Sequence, residues 1–395
     1  MGNEYVLETR DIRKVFPGVV ALDGISLKFR PGAVHALMGE NGAGKSTLMK
    51  ILSGMYKPTE GVVLYKGVET EFNEPIESIR LGISMIHQEL SPVPHRSVME
   101  NVWLGREPLI KGTPFVDHRK MRDDTKALLD DLELAIDPRI EMSKLPVAKM
   151  PMVEIAKAVS YNSEVVIMDE PTSSLTRSEV DHLFKIIRRL KEQGKAIIYI
   201  SHKLDEVERV TDEIVVMRDG RFVARAPTAE TPRQQMANLM VGRELQNRFN
   251  AMKESTGNIA RETVFEVKNV TSHDKKKVRD ISFSVNRGEI LGFAGLVGSG
   301  RTETVLAMLG AWPAAQCRLR MDGVEKRFAD PADGLMQGIG LLPESRKEQG
   351  LITSFSIMHN ISLNNYGKYR AGRWFIDQKK ELDCTETAMD QVRVK

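Results

Sequence analysis

Short apolar runs, each followed by glycine or by polar residues, recur along the first half of the chain. The runs at 33–38, 164–169 and 196–200 are rich in Val, Ile, Leu and Met. A continuous apolar run of this length predicts a strand that is buried on both faces of a parallel sheet. The segments 48–52 and 152–159 instead have helical character. The pattern therefore predicts an α/β fold.

The same pattern appears twice, with a constant offset of 256 residues. The segment 23–32 (DGISLKFRPG) is repeated as 279–288 (RDISFSVNRG), and each copy leads into an apolar run, predicted to be a strand, and then a glycine-rich loop. Self-similarity of this kind predicts two copies of one domain. We expect a complete first domain at 1–241, a linker at 242–261 and a partial second domain at 262–395.

Composition and charge exclude several classes of protein. The 395 residues are 41% hydrophobic and 28% charged, which is typical of a globular protein with room for two domains. A net charge of +3 is too small for nucleic-acid binding through phosphate neutralisation. No signal peptide or membrane-spanning run is visible, and two cysteines without metal-ligand spacing give no zinc site. Any link to a membrane is therefore expected to go through a partner.

A glycine-rich loop between a predicted strand and a predicted helix indicates a nucleotide site. The segment 39–47 reads GENGAGKST, which matches GxxxxGK[ST] in the required setting. The backbone N–H groups of such a loop turn towards phosphates, and the helix N-terminus adds its positive end. Lys45 is expected to reach the terminal phosphates and Ser46 to hold Mg²⁺. The expected nucleotide contacts are Gly39, Glu40, Asn41, Gly42, Ala43, Gly44, Lys45, Ser46 and Thr47.

Polar residues at the ends of three other apolar runs predict a hydrolytic site. Asp169 and Glu170 end one run, at the sheet edge where a doubly wound fold places its ligand. Asp169 fits a second Mg²⁺ ligand, and Glu170 fits a general base that activates water. His202 is placed to touch the terminal phosphate or the attacking water, and Gln88 to sense Mg²⁺ and the γ-phosphate. Each residue alone also fits a solvated or structural position, but their combination with Lys45 favours catalysis.

In their order along the chain, these motifs resemble those of ATP-binding cassette (ABC) ATPases. The match covers nearly the whole chain and includes the phosphate loop, Gln88, the acid pair, the segment 174–176 and His202. The resemblance implies a mixed sheet with a helical subdomain, Glu170 as catalytic base, and 174–176 as a loop that links two composite sites. It also implies that the ring of Phe16 stacks on adenine, although core packing explains an aromatic residue there equally well.

The second copy is altered where chemistry would occur. Its loop at 295–303 reads GLVGSGRTE, with Arg301 in place of the lysine, and a planar guanidinium is not interchangeable with a compact ammonium. Glu344 replaces the glutamine, and an anion near bound phosphates weakens their binding by repulsion. We therefore expect a non-catalytic site that still has a phosphate loop. The expected nucleotide contacts are Gly295, Gly298, Gly300, Arg301 and Thr302.

The second copy is also similar to that of the tandem-cassette subunits of bacterial monosaccharide importers. That group carries a GRTE loop and a PEDRK segment, which stand here as 300–303 and, with Ser345 in place of aspartate, as 343–347. The resemblance implies an ATPase that uses ATP and Mg²⁺ to energise import of a monosaccharide, of galactose/methyl-galactoside or ribose type. The implied partners are transmembrane permease subunits, a second cassette and, indirectly, an external sugar-binding protein, at the cytoplasmic face of the bacterial inner membrane.

The signature segment of the first copy departs from the family. Cassettes of this family pair face to face, so that each ATP lies between one phosphate loop and the signature of the other cassette. Here the signature position, 145–151, reads LPVAKMP, in which Pro146 removes a serine hydroxyl and Lys149 replaces a glutamine. The complementary signature would lie beyond residue 395, which matches position 139. We therefore expect a C-terminally truncated chain that binds MgATP and turns it over poorly.

The segment 90–109 lies where the family docks its permease. Trp103→Ala is expected to reduce transport more than basal ATPase activity, although an apolar Trp also fits a core position.

Two alternatives to a sugar importer remain: an importer of another substrate, and a soluble tandem cassette that acts on ribosomes. The short mixed linker and the poor signature count against the second. A P-loop kinase or GTPase fits poorly, because no NKxD motif or lid-like second substrate site is evident.

Overall fold

The protein forms two compact units, Met1–Asn250 and Ala251–Lys395. The computed structural model describes residues 4–87, 92–146, 149–173, 175–242, 262–273, 277–295, 298–312, 314–345, 349–372 and 375–392. The division between the units falls inside the expected linker, 242–261, most of which lies outside the described residues. The domain boundaries at 241 and 262 therefore stay a prediction.

The described part of the first unit contains ten strands. They are β1 (Leu7–Phe16), β2 (Val19–Phe29), β3 (Val34–Met38), β4 (Glu60–Tyr65), β5 (Val68–Thr70), β6 (Ile83–Ile86), β7 (Val165–Asp169), β8 (Ala196–Ile200), β9 (Glu213–Arg218) and β10 (Arg221–Pro227). Four of them form an antiparallel sheet in the order β2-β1-β4-β5. The other six form a sheet in the order β10-β9-β3-β8-β7-β6, which is parallel except for β10.

Burial on both faces explains why the central strands are continuous apolar runs. Every residue of β3, β7 and β8 is buried. A strand covered on both faces has no solvent side for polar residues, so the alternation typical of half-buried strands is missing. These three strands agree to within one residue with the predicted runs, and the mixed α/β fold is confirmed.

Helices pack against this sheet, and three of them also pack on one another. In chain order the helices of the first unit are α1 (Lys45–Leu52), α2 (Pro75–Leu81), α3 (Val98–Val102), α4 (His118–Asp131), α5 (Met150–Ser160), α6 (Arg177–Glu192), α7 (Leu204–Val210) and α8 (Arg233–Val241), with 3₁₀ turns at Met142–Lys144 and Thr228–Glu230. Helices α3, α4 and α5 pack on one another. Pro151 lies in the first turn of α5, where its missing N–H is not needed. None of the helices in the described part of the chain is long and apolar enough to cross a membrane.

The second unit repeats the antiparallel sheet of the first. Its elements are β11 (Thr263–Ser272), β12 (Ile281–Asn286), α9 (Arg301–Met308), β13 (Ala314–Met321), β14 (Val324–Lys326), α10 (Pro331–Met336), α11 (Ile357–Ser362), a 3₁₀ helix (Leu363–Tyr369), β15 (Arg370–Ala371), β16 (Phe375–Ile376) and α12 (Gln378–Gln391). Four strands form a sheet in the order β12-β11-β13-β14. This order is that of β2-β1-β4-β5, as the sequence repeat predicts.

The apolar run before the second phosphate loop was predicted to be a strand, and this prediction was wrong. The described residues 288–295 contain no strand, and Ile290 is 98% exposed. In the first unit the matching strand, β3, lies between β8 and β9. Within the described residues no strand pairs with this run, and a parallel strand forms only where neighbouring strands hydrogen-bond it.

Candidate nucleotide-binding site

The phosphate loop connects the end of β3 to the start of α1. Gly44 has φ +95, and a Cβ atom there would lie 2.7 Å from the carbonyl oxygen of Ala21. Gly39 has φ +153, and a Cβ atom there would lie 2.2 Å from the carbonyl oxygen of Met217. Both positions therefore require glycine. The N-cap of α1 is Gly44, which has no side chain to cap the helix, so the N–H groups of the first turn are available to an anion.

A cavity of about 230 Å³ lies beside this loop. Its walls combine the loop with the two acids at the end of β7 and the start of β2. The lining residues are Val19, Val20, Ala21, Asn41, Gly42, Gly44, Lys45, Ser46, Thr47, Asp169 and Glu170. Of the other predicted loop contacts, Gly39 and Ala43 are buried within the loop and Glu40 is exposed. The fold thus brings most of the nucleotide contacts predicted for the first phosphate loop to one cavity.

Lys45 is buried at the base of the loop. Its Nζ donates hydrogen bonds to the carbonyl oxygens of Gly39, at 2.8 Å, and Glu40, at 3.0 Å. Burial lowers the pKa of Lys45, while the nearby charges of Glu170 and Asp169 act to raise it. The ammonium group is therefore held by backbone oxygens that a bound phosphate could replace.

Asp169 and Ser46, the two predicted Mg²⁺ ligands within the described residues, lie side by side. Burial raises the pKa of Asp169 and the charge of Glu170 adds to this, whereas Lys45 and a hydrogen bond with Ser46 lower it. One carboxylate and one hydroxyl in contact at the cavity fit Mg²⁺, which prefers oxygen ligands and usually takes only one or two from the protein.

Glu170 and His202 are in direct contact. The Nδ1 atom of His202 lies 2.9 Å from Oε1 of Glu170, and the two residues follow the adjacent strands β7 and β8. Glu170 has φ +46, an uncommon conformation for a residue other than glycine, and its N–H donates to the carbonyl oxygen of Ile200 at 3.0 Å. Backbone strain of this kind persists only where the surroundings enforce it, and it clusters at functional sites.

Two predicted residues lie outside the described part of the chain, namely Gln88 and Ser174. The strand that precedes Gln88, β6, pairs with β7. Of the segment 174–176, Leu175 is buried and Thr176 forms a capping box with Glu179 at the start of α6. The roles expected for Gln88 and for 174–176 therefore stay predictions.

Phe16 does not line the cavity. Its ring is half-buried and packs edge-on against Tyr56, with 5.5 Å between centroids, and Nζ of Lys14 lies 5.3 Å from it. Val19, Val20 and Ala21 line the cavity instead, although their sequence did not mark them as nucleotide contacts. The signal in the sequence is a pair of valines shortly after Phe16, and both are exposed in the structure. Adenine stacking by Phe16 stays a prediction.

Comparison with known proteins agrees with this geometry. The family model described as "ABC transporter" matches residues 22–173. The galactose/methyl galactoside import ATP-binding protein MglA of Fusobacterium nucleatum is 45% identical over 392 residues, which is 99% of this chain and 77% of that protein. The chain belongs to the ABC transporter family of ATP-binding proteins. It is thus an ATP-binding ABC ATPase, as the motif order predicts.

Other relatives and solved structures give the same result. The MglA protein of Escherichia coli K12 is also 45% identical, over 99% of this chain and 76% of that protein. A putative ribose/galactose/methyl galactoside import ATP-binding protein of Halalkalibacterium halodurans is 45% identical over 98% of this chain and 73% of that one. A nucleotide-free ABC transporter cassette and the ADP conformation of such a cassette each superpose with a TM-score of 0.53 at 27% identity, covering 62% of this chain and 98% of theirs.

The second phosphate loop of this ABC protein differs from the first. Gly300 has φ +89 and precedes α9, as Gly44 precedes α1. However, Arg301 and Thr302 are exposed. Gly295, Gly298 and Glu344 are exposed as well. Nucleotide contacts in this copy stay a prediction.

Proposed function

We propose that the first unit binds MgATP and hydrolyses it to energise the import of a monosaccharide through a membrane permease. The observation that carries the proposal is one cavity lined by Lys45, Ser46, Asp169 and Glu170. His202 contacts Glu170. A phosphate loop alone would serve a kinase or a GTPase equally well. The added carboxylate and imidazole pair favours activation of water.

Binding would use groups that are already in place. The N–H groups at the start of α1 would receive phosphate oxygens, and Nζ of Lys45 would exchange the carbonyl oxygens of Gly39 and Glu40 for them. Ser46 and Asp169 would hold Mg²⁺, which, when bound, neutralises part of the phosphate charge.

Hydrolysis would be carried out at Glu170. As the water oxygen forms a bond to the γ-phosphorus, the bond from that phosphorus to the bridging oxygen of ADP breaks and Glu170 accepts the water proton. His202 would hold the carboxylate in position through the 2.9 Å contact and would face the phosphate with the rest of its ring. Gln88 would complete the Mg²⁺ and γ-phosphate contacts.

The sugar class follows from the relatives, whose names specify galactose, methyl galactoside or ribose import. Similarity over 99% of this chain supports import of such a monosaccharide, with the protein peripheral at the cytoplasmic face of the membrane. The test reconstitutes the chain in liposomes with its permease and sugar-binding protein. Galactose or ribose should stimulate ATP hydrolysis severalfold, and maltose should not. A rate of ATP hydrolysis that no monosaccharide stimulates would refute sugar import while leaving the ATPase proposal intact.

A permease contact is supported by apolar side chains exposed between α3 and α4. Leu104, Leu109, Ile110 and Phe115 are 46 to 69% exposed, and a bridge between Leu109 and Val116 closes a small hairpin. Exposed apolar groups that lie together mark interaction surfaces. We infer that this hairpin docks on the permease.

Trp103, the residue singled out from the sequence for docking, is half-buried. Its indole N–H donates to Oγ1 of Thr125 at 2.9 Å, and Arg106 lies over its ring at 5.0 Å. Trp103→Ala is therefore expected to lower stability as well as transport. Phe115→Ser is the sharper test, because it should uncouple ATPase from transport without unfolding the protein. Val68→Ser, at an equally exposed valine on β5, is the control; equal coupling in both variants would refute the docking surface.

A further inference from the structure

A buried carboxylate accepts hydrogen bonds from both segments that carry Glu170 and His202. Glu206, in the first turn of α7, is 4% exposed. Its Oε2 atom accepts hydrogen bonds from Oη of Tyr199 at 2.7 Å, Oγ1 of Thr172 at 2.8 Å and Oγ of Ser201 at 3.3 Å. Three donors therefore converge on one oxygen of a side chain that solvent does not reach.

Lys203 completes this cluster. Its Nζ lies 3.0 Å from Oε1 of Glu206 and donates to Oγ1 of Thr172 at 3.1 Å. The ammonium compensates the charge of the buried carboxylate, which would otherwise be costly. Burial raises the pKa of Tyr199 and the Glu206 carboxylate adds to this, so the phenol remains a hydrogen-bond donor at physiological pH. Both carboxylate oxygens of Glu206 therefore have partners within the cluster.

The cluster joins the two segments that carry the catalytic residues. Thr172 follows Glu170 by two residues, and Ser201 directly precedes His202. The contact between Glu170 and His202 bridges the same two segments on the cavity side. Because Glu170 has a strained backbone, its orientation depends on neighbours that enforce it.

We propose that Glu206 is a positioning residue for ATP hydrolysis, which fixes the loop after Glu170 against the loop that carries His202. It touches neither nucleotide nor water; it acts through Thr172 and Ser201. The inference rests on the roles proposed above for Glu170 and His202. It predicts that Glu206 governs the rate of the chemical step and not the affinity for ATP.

Glu206→Gln tests this role with little change in size. The amide retains one acceptor oxygen but presents an NH₂ group to Lys203 or to the three hydroxyl donors. The kcat for ATP hydrolysis should fall about 10- to 100-fold, while the KM for ATP and the Kd for MgATP stay within about twofold of the parent. Glu208→Gln, on the same helix, is the matched control, since Glu208 pairs with Arg233 away from the cluster; its kcat should not change.

A double-mutant cycle separates positioning from general destabilisation. Lys203→Met removes the ammonium group, which would repel the NH₂ group of the glutamine in Glu206→Gln. If the cluster acts as one unit, the kcat loss of the double variant is smaller than the product of the two single losses, by threefold or more. If the two single kcat losses simply multiply in the double variant, Glu206 and Lys203 act independently, which would contradict their action as one cluster.

Amide hydrogen exchange gives a result that does not depend on turnover. In Glu206→Gln, exchange should accelerate at 170–173 and 201–203 and stay unchanged in β3 and β9; Glu208→Gln should change neither. If Glu206→Gln does not fold, Tyr199→Phe, which removes one donor, should lower kcat about two- to fivefold at unchanged KM.

Failure of the inference can be told from failure of the proposed function. Measurements use the chain reconstituted with its membrane partners. If Glu170→Gln abolishes hydrolysis and Glu206→Gln keeps the parent kcat, positioning by Glu206 is wrong and the site stands. If Glu206→Gln lowers kcat, ATP affinity and thermal stability together, Glu206 is a packing residue only. If Glu170→Gln itself hydrolyses normally, the proposed site is wrong.

Discussion

The two units share an antiparallel sheet but differ in what lies next to it. In the first unit, β3 is flanked by β8 and β9, and all of its residues are buried. In the second unit, the matching apolar segment at 289–294 forms no strand within the described residues, and Ile290 is almost fully exposed. Among the described residues, the strand is therefore seen only where β8 and β9 flank the run. A parallel strand depends on hydrogen bonds to distant segments, whereas antiparallel hairpins form from nearby ones.

The phosphate loops differ in the same way. Both end in a glycine with positive φ followed directly by a helix. Lys45 is buried against backbone oxygens and faces the two carboxylates at the end of β7, whereas Arg301 is exposed. The loop conformation is thus determined by the local sequence, whereas the parallel sheet brings the reactive side chains to the loop.

The largest expected effect comes from removing the proposed base. Glu170→Gln keeps the size of the side chain but cannot accept a proton, so steady-state ATP hydrolysis should fall about 100- to 1000-fold while MgATP binding is retained. Phosphate release is the measurement. Residual activity above about a tenth of the parent would mean that another group, or the second unit, supplies a base, and the contrast between the units would then be wrong.

The phosphate loops can be compared directly by truncating the basic residue in each. Lys45→Ala should weaken MgATP binding about 10- to 100-fold, because it removes charge-assisted hydrogen bonds from a buried site. Arg301→Ala should leave that high-affinity binding unchanged. Isothermal titration calorimetry on both variants decides the matter. Equal losses would show that the two loops contribute alike.

The comparison of strands is tested at two matched positions. Val34 in β3 is fully buried and its counterpart is Ile290. Val34→Ala should lower the free energy of unfolding by about 2 kcal/mol, and Ile290→Ala should change it by less than about 0.5 kcal/mol. Urea unfolding followed by circular dichroism gives both values. A large loss at Ile290 would show that this segment is packed in solution.

The smallest effect concerns pH and Asp169. Its pKa is raised in the folded state, so the unfolded chain releases this proton at a lower pH than the folded chain does. Stability therefore falls as the pH rises from the unfolded-state pKa to the raised folded-state pKa. Asp169→Asn avoids this loss. The variant should melt a few degrees above the parent at pH 7, and the difference should shrink as the pH is lowered from the raised pKa towards about 4, the unfolded value, and be absent below it. A difference that is constant with pH would point to a cause other than ionisation.

Much of the site was predictable because its motifs are local. The phosphate loop, the acid pair and His202 each follow an apolar run, and parallel strands bring their carboxyl ends to one edge. Phe16 and Trp103 were harder to assign, because an aromatic ring can serve a ligand, a partner or the core with the same sequence signal. Their neighbours, Tyr56 and Thr125, are distant in sequence and became known only from the fold.

The sequence by itself determined the repeat, the α/β class, the glycine-rich loops and the family, because these depend on periodicity and on residues close together in the chain. Only the tertiary structure decided which apolar runs become strands, that Glu170 takes a strained backbone against Ile200, and that Glu206 accepts hydrogen bonds from Thr172 and Ser201 in the loops after β7 and β8. These features depend on hydrogen bonds between segments some 30 residues apart. Such pairing leaves no periodic signal in a single sequence.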